Sequence, residues 1–206
     1  FPGRLVLVGF GCIGQGLLPL IQRHIGIDPG RITVVAADAA GAAVAEQAGI
    51  RLLTHVLRPQ DYRQILDPLL GRGDFLVNVA VDVSSLALIG YARSRGALYL
   101  DTSIEPWRGG YDDPTLALAA RTNYALREQA LALRTDSPQQ PTAVLTHGAN
   151  PGLVSHFVKR ALLDLAAETG LAIATPRQRA DWAELARRLG VRTIHIAERD
   201  TQVSAL

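Results

Sequence analysis

Three glycines, Gly9, Gly11 and Gly14, stand in the spacing G-x-G-x-x-G directly after the apolar run at residues 4–8. A second, β-branched run at residues 31–37 ends at Asp38. That context is what a dinucleotide needs. Gly9 permits a tight turn, Gly11 lets backbone approach a pyrophosphate, and Gly14 lets the following helix pack closely on the strand. Amides at the helix N-terminus then face the phosphates. Asp38 can accept hydrogen bonds from both ribose hydroxyls but would repel a 2′-phosphate, so NAD is favoured over NADP. Glycines used only for packing are the bland alternative, but strand, loop, helix, strand and acid together favour the cofactor. Cys12 and Ile13 lie inside this loop. Cys12 reads either as a thiol activated at a helix N-terminus or as a small residue fitting close to phosphate, and the second is preferred.

A second group falls where strands end, the edge at which open α/β sheets bind ligands. Asn78, Val79, Ala80, Val81 and Asp82 close one apolar run, and Asp101, Thr102, Ser103 and Glu105 close the next. His147 and Asn150 follow a third, and Glu198 and Asp200 a fourth. Carboxylates gathered there suit a cationic substrate. Acids tied up in arginine salt links would defeat that reading. Taken singly, Asp82 and Asn150 could cap helices and Asp101 could shape a turn. Glu105, flanked by Ile104, Pro106 and Trp107, is the strongest functional candidate. Trp107 either stacks on a ligand cation or covers an edge of the core.

Other chemistries find no support. His24, His55, His147, His156 and His195 lack metal-ligand spacing, and one cysteine cannot build a thiolate-rich zinc site or a disulfide framework. No metal is expected. Lys159 is the single lysine and is expected to be solvated midway along a predicted helix, so a Schiff base would need Lys159 or a segment not present. No nucleophile elbow and no P-loop occur.

The elements that must position these residues follow from periodicity. The 206 residues are 48% hydrophobic and 19% charged, a globular composition. Net charge is +2 without a basic block, so nucleic acid is not implied. No apolar run reaches the roughly 20 residues of a membrane span, and a cytoplasmic protein is expected. Strands at 4–8, 31–37, 50–54, 74–81, 97–100 and 142–146 alternate with helices at 15–24, 39–48, 60–70 and 84–94. Pro19 is expected to kink the first helix. Asp113-Pro114 predicts the start of a long helix over 115–134, and Asn150-Pro151 the start of one reaching about 169. A helix at 179–189 and a strand at 191–197 follow. This alternation predicts a Rossmann-type, doubly wound parallel α/β domain over residues 1–148. Residues 149–206 read as the start of a second, α+β substrate domain. The opening Phe1-Pro2-Gly3 and the absence of methionine suggest a trimmed chain.

Three segments carry a family resemblance: Asp101-Thr-Ser-Ile-Glu105-Pro-Trp-Arg-Gly-Gly110, Arg121-Thr-Asn-Tyr124, and His147-Gly-Ala-Asn-Pro-Gly-Leu-Val-Ser-His156. With the glycine loop, Asp38 and Asn78-Val-Ala-Val-Asp82, they resemble the bacterial homospermidine synthases, of saccharopine-dehydrogenase-like architecture. The resemblance spans the chain but only the N-terminal part of that family. It implies an NAD-dependent, homodimeric enzyme of polyamine synthesis. Two putrescines, or putrescine and spermidine, would give homospermidine with loss of ammonia or diaminopropane. It places Asp82, Glu105, Asn150 and Glu198 in a diamine pocket, with Asp82 and Glu105 nearest the reacting amine as catalytic candidates. Asn78, Val79, Ala80, Val81, Thr102, Ser103 and His147 would join Gly9, Gly11, Cys12, Ile13, Gly14 and Asp38 around the cofactor. Further pocket residues would lie in the family's C-terminal half, so this polypeptide alone is expected to be inactive. Two rivals remain. A carboxylated-polyamine synthase would want an arginine near the strand ends, where Arg108 is the one candidate. A non-catalytic NAD-binding module would make the acids incidental.

Overall fold

The computed structural model describes residues 1–135, 137 and 139–199. The chain divides into two compact units, Phe1–Gly148 and Ala149–Leu206. The first holds six parallel strands: β1 (Leu5–Val8), β2 (Ile32–Ala36), β3 (Arg51–Thr54), β4 (Phe75–Asn78), β5 (Leu98–Asp101) and β6 (Ala143–Val144). Their order is β3-β2-β1-β4-β5-β6. The sheet reverses its winding between β1 and β4, and a doubly wound sheet opens its ligand crevice at that point.

Every residue of β1 is buried, as a central parallel strand covered on both faces requires. Side chains alternate between those faces. Val6 and Val8 pack with Leu76, Leu66, Leu88 and Tyr91 on one side. Leu5 and Leu7 pack with Val34, Val77, Leu18 and Ile21 on the other. The covering helices are α1 (Cys12–His24), α2 (Ala42–Gln47), α3 (Tyr62–Leu66), α4 (Ser85–Arg95) and α5 (Asn123–Ala132). Pro19 lies inside α1 on its exposed side, where it removes one backbone donor without ending the helix.

Several predicted boundaries move for identifiable reasons. The long helix over 115–134 is instead a short 3-10 turn at Leu118–Arg121 followed by α5. Thr122 interrupts it by capping α5, its hydroxyl accepting from Ala125 N at 3.1 Å. Asp113 caps no helix; it folds back on Thr115, accepting from its amide at 2.9 Å and its hydroxyl at 2.6 Å. Ser84, not Asp82, caps α4, with Oγ accepting from Ala87 N at 3.2 Å.

The second unit contains α6 (Leu153–Glu168) and α7 (Arg179–Arg188), joined through Leu162, Ala166 and Leu185. Its α6 is capped at Gly152 rather than at Asn150. Lys159 is not merely solvated: its ammonium lies 5.5 Å from the Trp182 ring centroid. No strand forms at 191–197, and Ile194 and Ile196 are about half exposed there. A strand needs a neighbouring edge, and the described residues of this unit offer none. Among the described residues no helix is long and apolar enough to cross a membrane.

Candidate functional site

The glycine loop leaves the carboxyl end of β1. Gly9 turns there with φ +93°, and a Cβ on it would fall 2.7 Å from Ala80 N and 2.8 Å from Ala80 Cα. The loop therefore lies directly against the backbone that follows β4. Gly14 is equally constrained, since a Cβ would meet Gly9 O at 2.5 Å. Gly11 differs. A Cβ there would meet nothing within 4 Å, so that glycine borders open space. Gly11 caps α1 without a side chain, and no acid stands in the first turn. The amides of Cys12, Ile13 and Gly14 thus end the helix without a side-chain cap, beside open volume, which fits a pyrophosphate. Asp38, two residues past β2, is exposed and held by Ala40 N at 2.9 Å from its Oδ1. This geometry fits a dinucleotide with free ribose hydroxyls.

The ends of β4 and β5 are built differently. Asn78 and Asp101 are neighbours in register and both are buried. Asn78 uses its amide locally: Nδ2 donates to Val83 O at 3.3 Å, and Oδ1 accepts from Ala80 N at 3.2 Å. It shapes the loop carrying Val79, Ala80, Val81 and Asp82 from behind. At the tip of that loop Val81 is 76% exposed. Next to it Asp82 adopts φ +63°, a conformation costing a non-glycine residue of order 1 kcal/mol.

Glu105 is clasped to the start of α4. Its amide donates to Ser85 Oγ at 3.0 Å, while Ser85 N donates to Glu105 O at 2.8 Å. Its carboxylate takes the Ser103 hydroxyl at 3.3 Å. Burial pushes the Glu105 carboxyl above the usual range; Ser103 and the Asp82 backbone oppose this, and the charges of Asp82 and Asp101 add to it. Tyr111 faces the same group, its phenol pushed up by burial and by the Glu105 charge. Asp82 carries the one arginine contact in this cluster among the described residues: Arg108 Nε stands 3.4 Å from its Oδ2, with the Arg108 side chain 88% exposed. A pair so exposed is worth about 0–1 kcal/mol and yields readily to another cation.

Thr102 and Ser103 follow β5, half-buried. His147 follows β6, with its amide 2.9 Å from Asp101 O. Trp107 packs on Tyr62, ring centroids 5.4 Å apart, and so covers the core edge instead of standing free for a cation. In the second unit Asn150 Nδ2 hydrogen-bonds Glu198 Oε1, joining two residues expected in one pocket. Asp200 lies outside the described residues. Ser85, Tyr99 and Tyr111 are the neighbours that sequence reasoning misses. Only the Ser84-Ser85 doublet at a helix start hints at one of them.

A protein-family model described as the saccharopine dehydrogenase NADP binding domain matches residues 5–144. The chain belongs to the saccharopine dehydrogenase NADP-binding-domain family. Within it, the chain is 49% identical over 203 residues to a homospermidine synthase of Blastochloris viridis, covering 97% of this chain and 43% of that protein. It is 45% identical over 205 residues to the homospermidine synthase of Mesorhizobium japonicum, covering 97% and 42%. A crystal structure of the Legionella pneumophila homospermidine synthase in complex with NAD superposes with a TM-score of 0.88. That match has 44% identity and covers 98% of this chain and 42% of that one. The chain therefore spans about two fifths of the length of these homospermidine synthases. The saccharopine-dehydrogenase-like domain accounts for all six strands of the sheet.

Proposed function

We propose that this chain carries the NAD-binding domain and the first part of the substrate domain of a homospermidine synthase. The likeness to three proteins of that name supports the reading. One structural observation carries it: a partly buried carboxyl, Glu105, and a second acid, Asp82, stand where the β4 and β5 ends border the glycine-loop crevice. The cofactor would be held by Gly9, Gly11, Cys12, Ile13, Gly14 and Asp38, walled by Val79, Ala80, Val81, Thr102, Ser103 and His147. When bound, NAD would supply a reversible hydride acceptor, so that two putrescines exchange one amine and leave as homospermidine and ammonia.

The chain's own residues do the rest. An alkylammonium holds its proton to a pKa of about 10.4, so a base must take that proton before the amine carbon can be oxidised. Glu105 is suited to this because burial has already raised its proton affinity. Asp82 holds the cation after displacing Arg108. The Asn150–Glu198 pair offers a second acceptor for an ammonium. A cytoplasmic, homodimeric enzyme of polyamine synthesis follows from the same reading.

The test is incubation of the complete protein with putrescine and NAD. Homospermidine and ammonia in equal amounts, without net NADH, are expected. Steady NADH accumulation would make it an ordinary dehydrogenase, and absence of product would make it a binding module.

A further inference from the structure

We propose that Asp101 is a positioning residue for this site. Its buried carboxylate holds the turn that delivers His147, and its charge keeps Glu105 a proton acceptor. The second half of that statement rests on the role proposed above for Glu105.

Asp101 is the last residue of β5 and has no accessible surface. Burying an ionised carboxylate costs several kcal/mol unless it is paired or fully hydrogen-bonded. Among the described residues no cation reaches it. Its partners are neutral donors: Thr146 N at 2.6 Å on Oδ1, and the Tyr99 hydroxyl at 2.9 Å on Oδ2. Burial pushes the Asp101 carboxyl above the usual range, and the bonds from Thr146, Ser85 and Tyr99 oppose this. An apolar side chain would fill this position at lower cost, so the carboxyl has a purpose beyond filling the core.

Two geometric facts show where that purpose lies. Thr146 adopts φ +55°, a left-handed conformation that a β-branched residue adopts only under constraint. The constraint is the carboxylate, which receives the Thr146 amide in a short, charge-assisted hydrogen bond. The next amide, His147 N, is received by Asp101 O at 2.9 Å. One residue therefore holds two successive amides of the turn after β6. On its other side lies Ser85, whose hydroxyl interacts with Asp101 and accepts from Glu105 N at 3.0 Å. Among the described residues, the groups facing Glu105 are Ser103, Asp82, Asp101 and Tyr111, and none of these is a cation. Asp101 is the one acid of that set that solvent cannot screen.

The test uses solution NMR across the acid range, on the protein and on Asp101→Asn, which keeps the shape and removes the charge. In the parent, the Thr146 amide proton should lie far downfield and move upfield in one step as Asp101 takes up its proton. In Asp101→Asn, the titration midpoint of Glu105, assigned through Glu105→Gln, should fall by about 0.5 unit or more. In the complete enzyme the acid limb of kcat should move down with it, while KM for NAD stays within a few fold. A Thr146 amide that ignores the Asp101 titration would overturn the positioning role, even if Asp101→Asn does not fold. An unmoved Glu105 midpoint in a folded Asp101→Asn protein would overturn the electrostatic one. If Glu105→Gln turns over normally while both NMR shifts occur, the proposed base fails and the positioning by Asp101 stands.

Discussion

Asp74 enters β4 at the amino edge of the sheet, and Asp101 leaves β5 at the carboxyl edge. Both are buried, yet the chain treats them in opposite ways. Asp74 receives Arg4 N at 2.7 Å, Gly71 N at 2.7 Å, and the Arg4 guanidinium at 2.8 and 2.9 Å. Burial pushes its carboxyl up, but the bonds from Arg4 and Gly71 outweigh this and leave it below the usual range. Asp101 meets only neutral donors, and burial leaves its carboxyl above that range. Where a carboxylate only ties chain segments together, this sequence supplies a cation. At the edge where the glycine loop, Asp82 and Glu105 gather, it gives Asp101 and Glu105 none among the described residues and Asp82 only the exposed Arg108. The same edge carries the two described non-glycine residues with positive φ, Asp82 and Thr146. Cost collects there because function needs side chains at positions where stability alone would choose glycine or arginine.

The largest expected effect is at the functional edge. Glu105→Gln should lower turnover of the complete enzyme by about 10²- to 10⁴-fold while NAD affinity changes little. As a base, Glu105 must be unprotonated, so activity should fall on acidification with a limb above the ordinary glutamate value of about 4.3. Loss of NAD binding, measured by fluorescence titration, would move Glu105 from the substrate to the cofactor. At the amino edge, Arg4→Ala should cost about 3 kcal/mol in urea unfolding, because it leaves Asp74 buried without its cation. Turnover per folded molecule should be unchanged. A cost near zero would mean that Asp74 is already satisfied by amides.

Gly9→Ala crosses the two categories. Its Cβ would press on Ala80 backbone at 2.7 Å in a left-handed conformation, so both stability and NAD binding should suffer, by about 3 kcal/mol in stability. Asp38→Asn should act on the cofactor alone. It removes the charge that repels a 2′-phosphate and should narrow the preference for NAD over NADP about tenfold, roughly one charged hydrogen bond. An unchanged ratio would assign the discrimination to another residue of the NADP-binding-domain family.

The glycine loop, Asp38 and the strand runs are legible in the sequence because their requirements are local: spacing, periodicity and a turn. The placement of Glu105 is legible only as a strand-end acid. Its clasp to Ser85 spans 20 residues and leaves no periodic trace. The bond from Thr146 to Asp101 spans 45, and Thr146 reads from sequence as the end of a strand. The capping signals mislead for a related reason. Asp82 and Asn150 are side chains of capping type beside helices, but Ser84 and Gly152 take those positions. Asp82 and Asn150 are left to meet Arg108 and Glu198. Likewise 191–197 has strand composition, but the described residues of its unit include no strand to pair with.

The smallest effect is also the sharpest test of the comparison, because it predicts a difference of sign. A carboxyl whose folded pKa is depressed contributes stability above its unfolded value, and that stability is lost as pH falls through the folded one. Asp74 is of this kind. The penalty of Asp74→Asn should therefore be full near neutrality and shrink only below about pH 4. A carboxyl whose folded pKa is raised behaves in reverse: its contribution is present below the unfolded value and lost as pH rises through the folded one. Asp101 is of this kind, so Asp101→Asn should compare progressively better with the parent as pH rises above about 4. Urea unfolding of both variants and the parent from pH 3 to 7 gives the two slopes directly. Parallel slopes would mean that the carboxyl edge hides a counter-charge for Asp101, and the contrast between the two ends of the sheet would be lost.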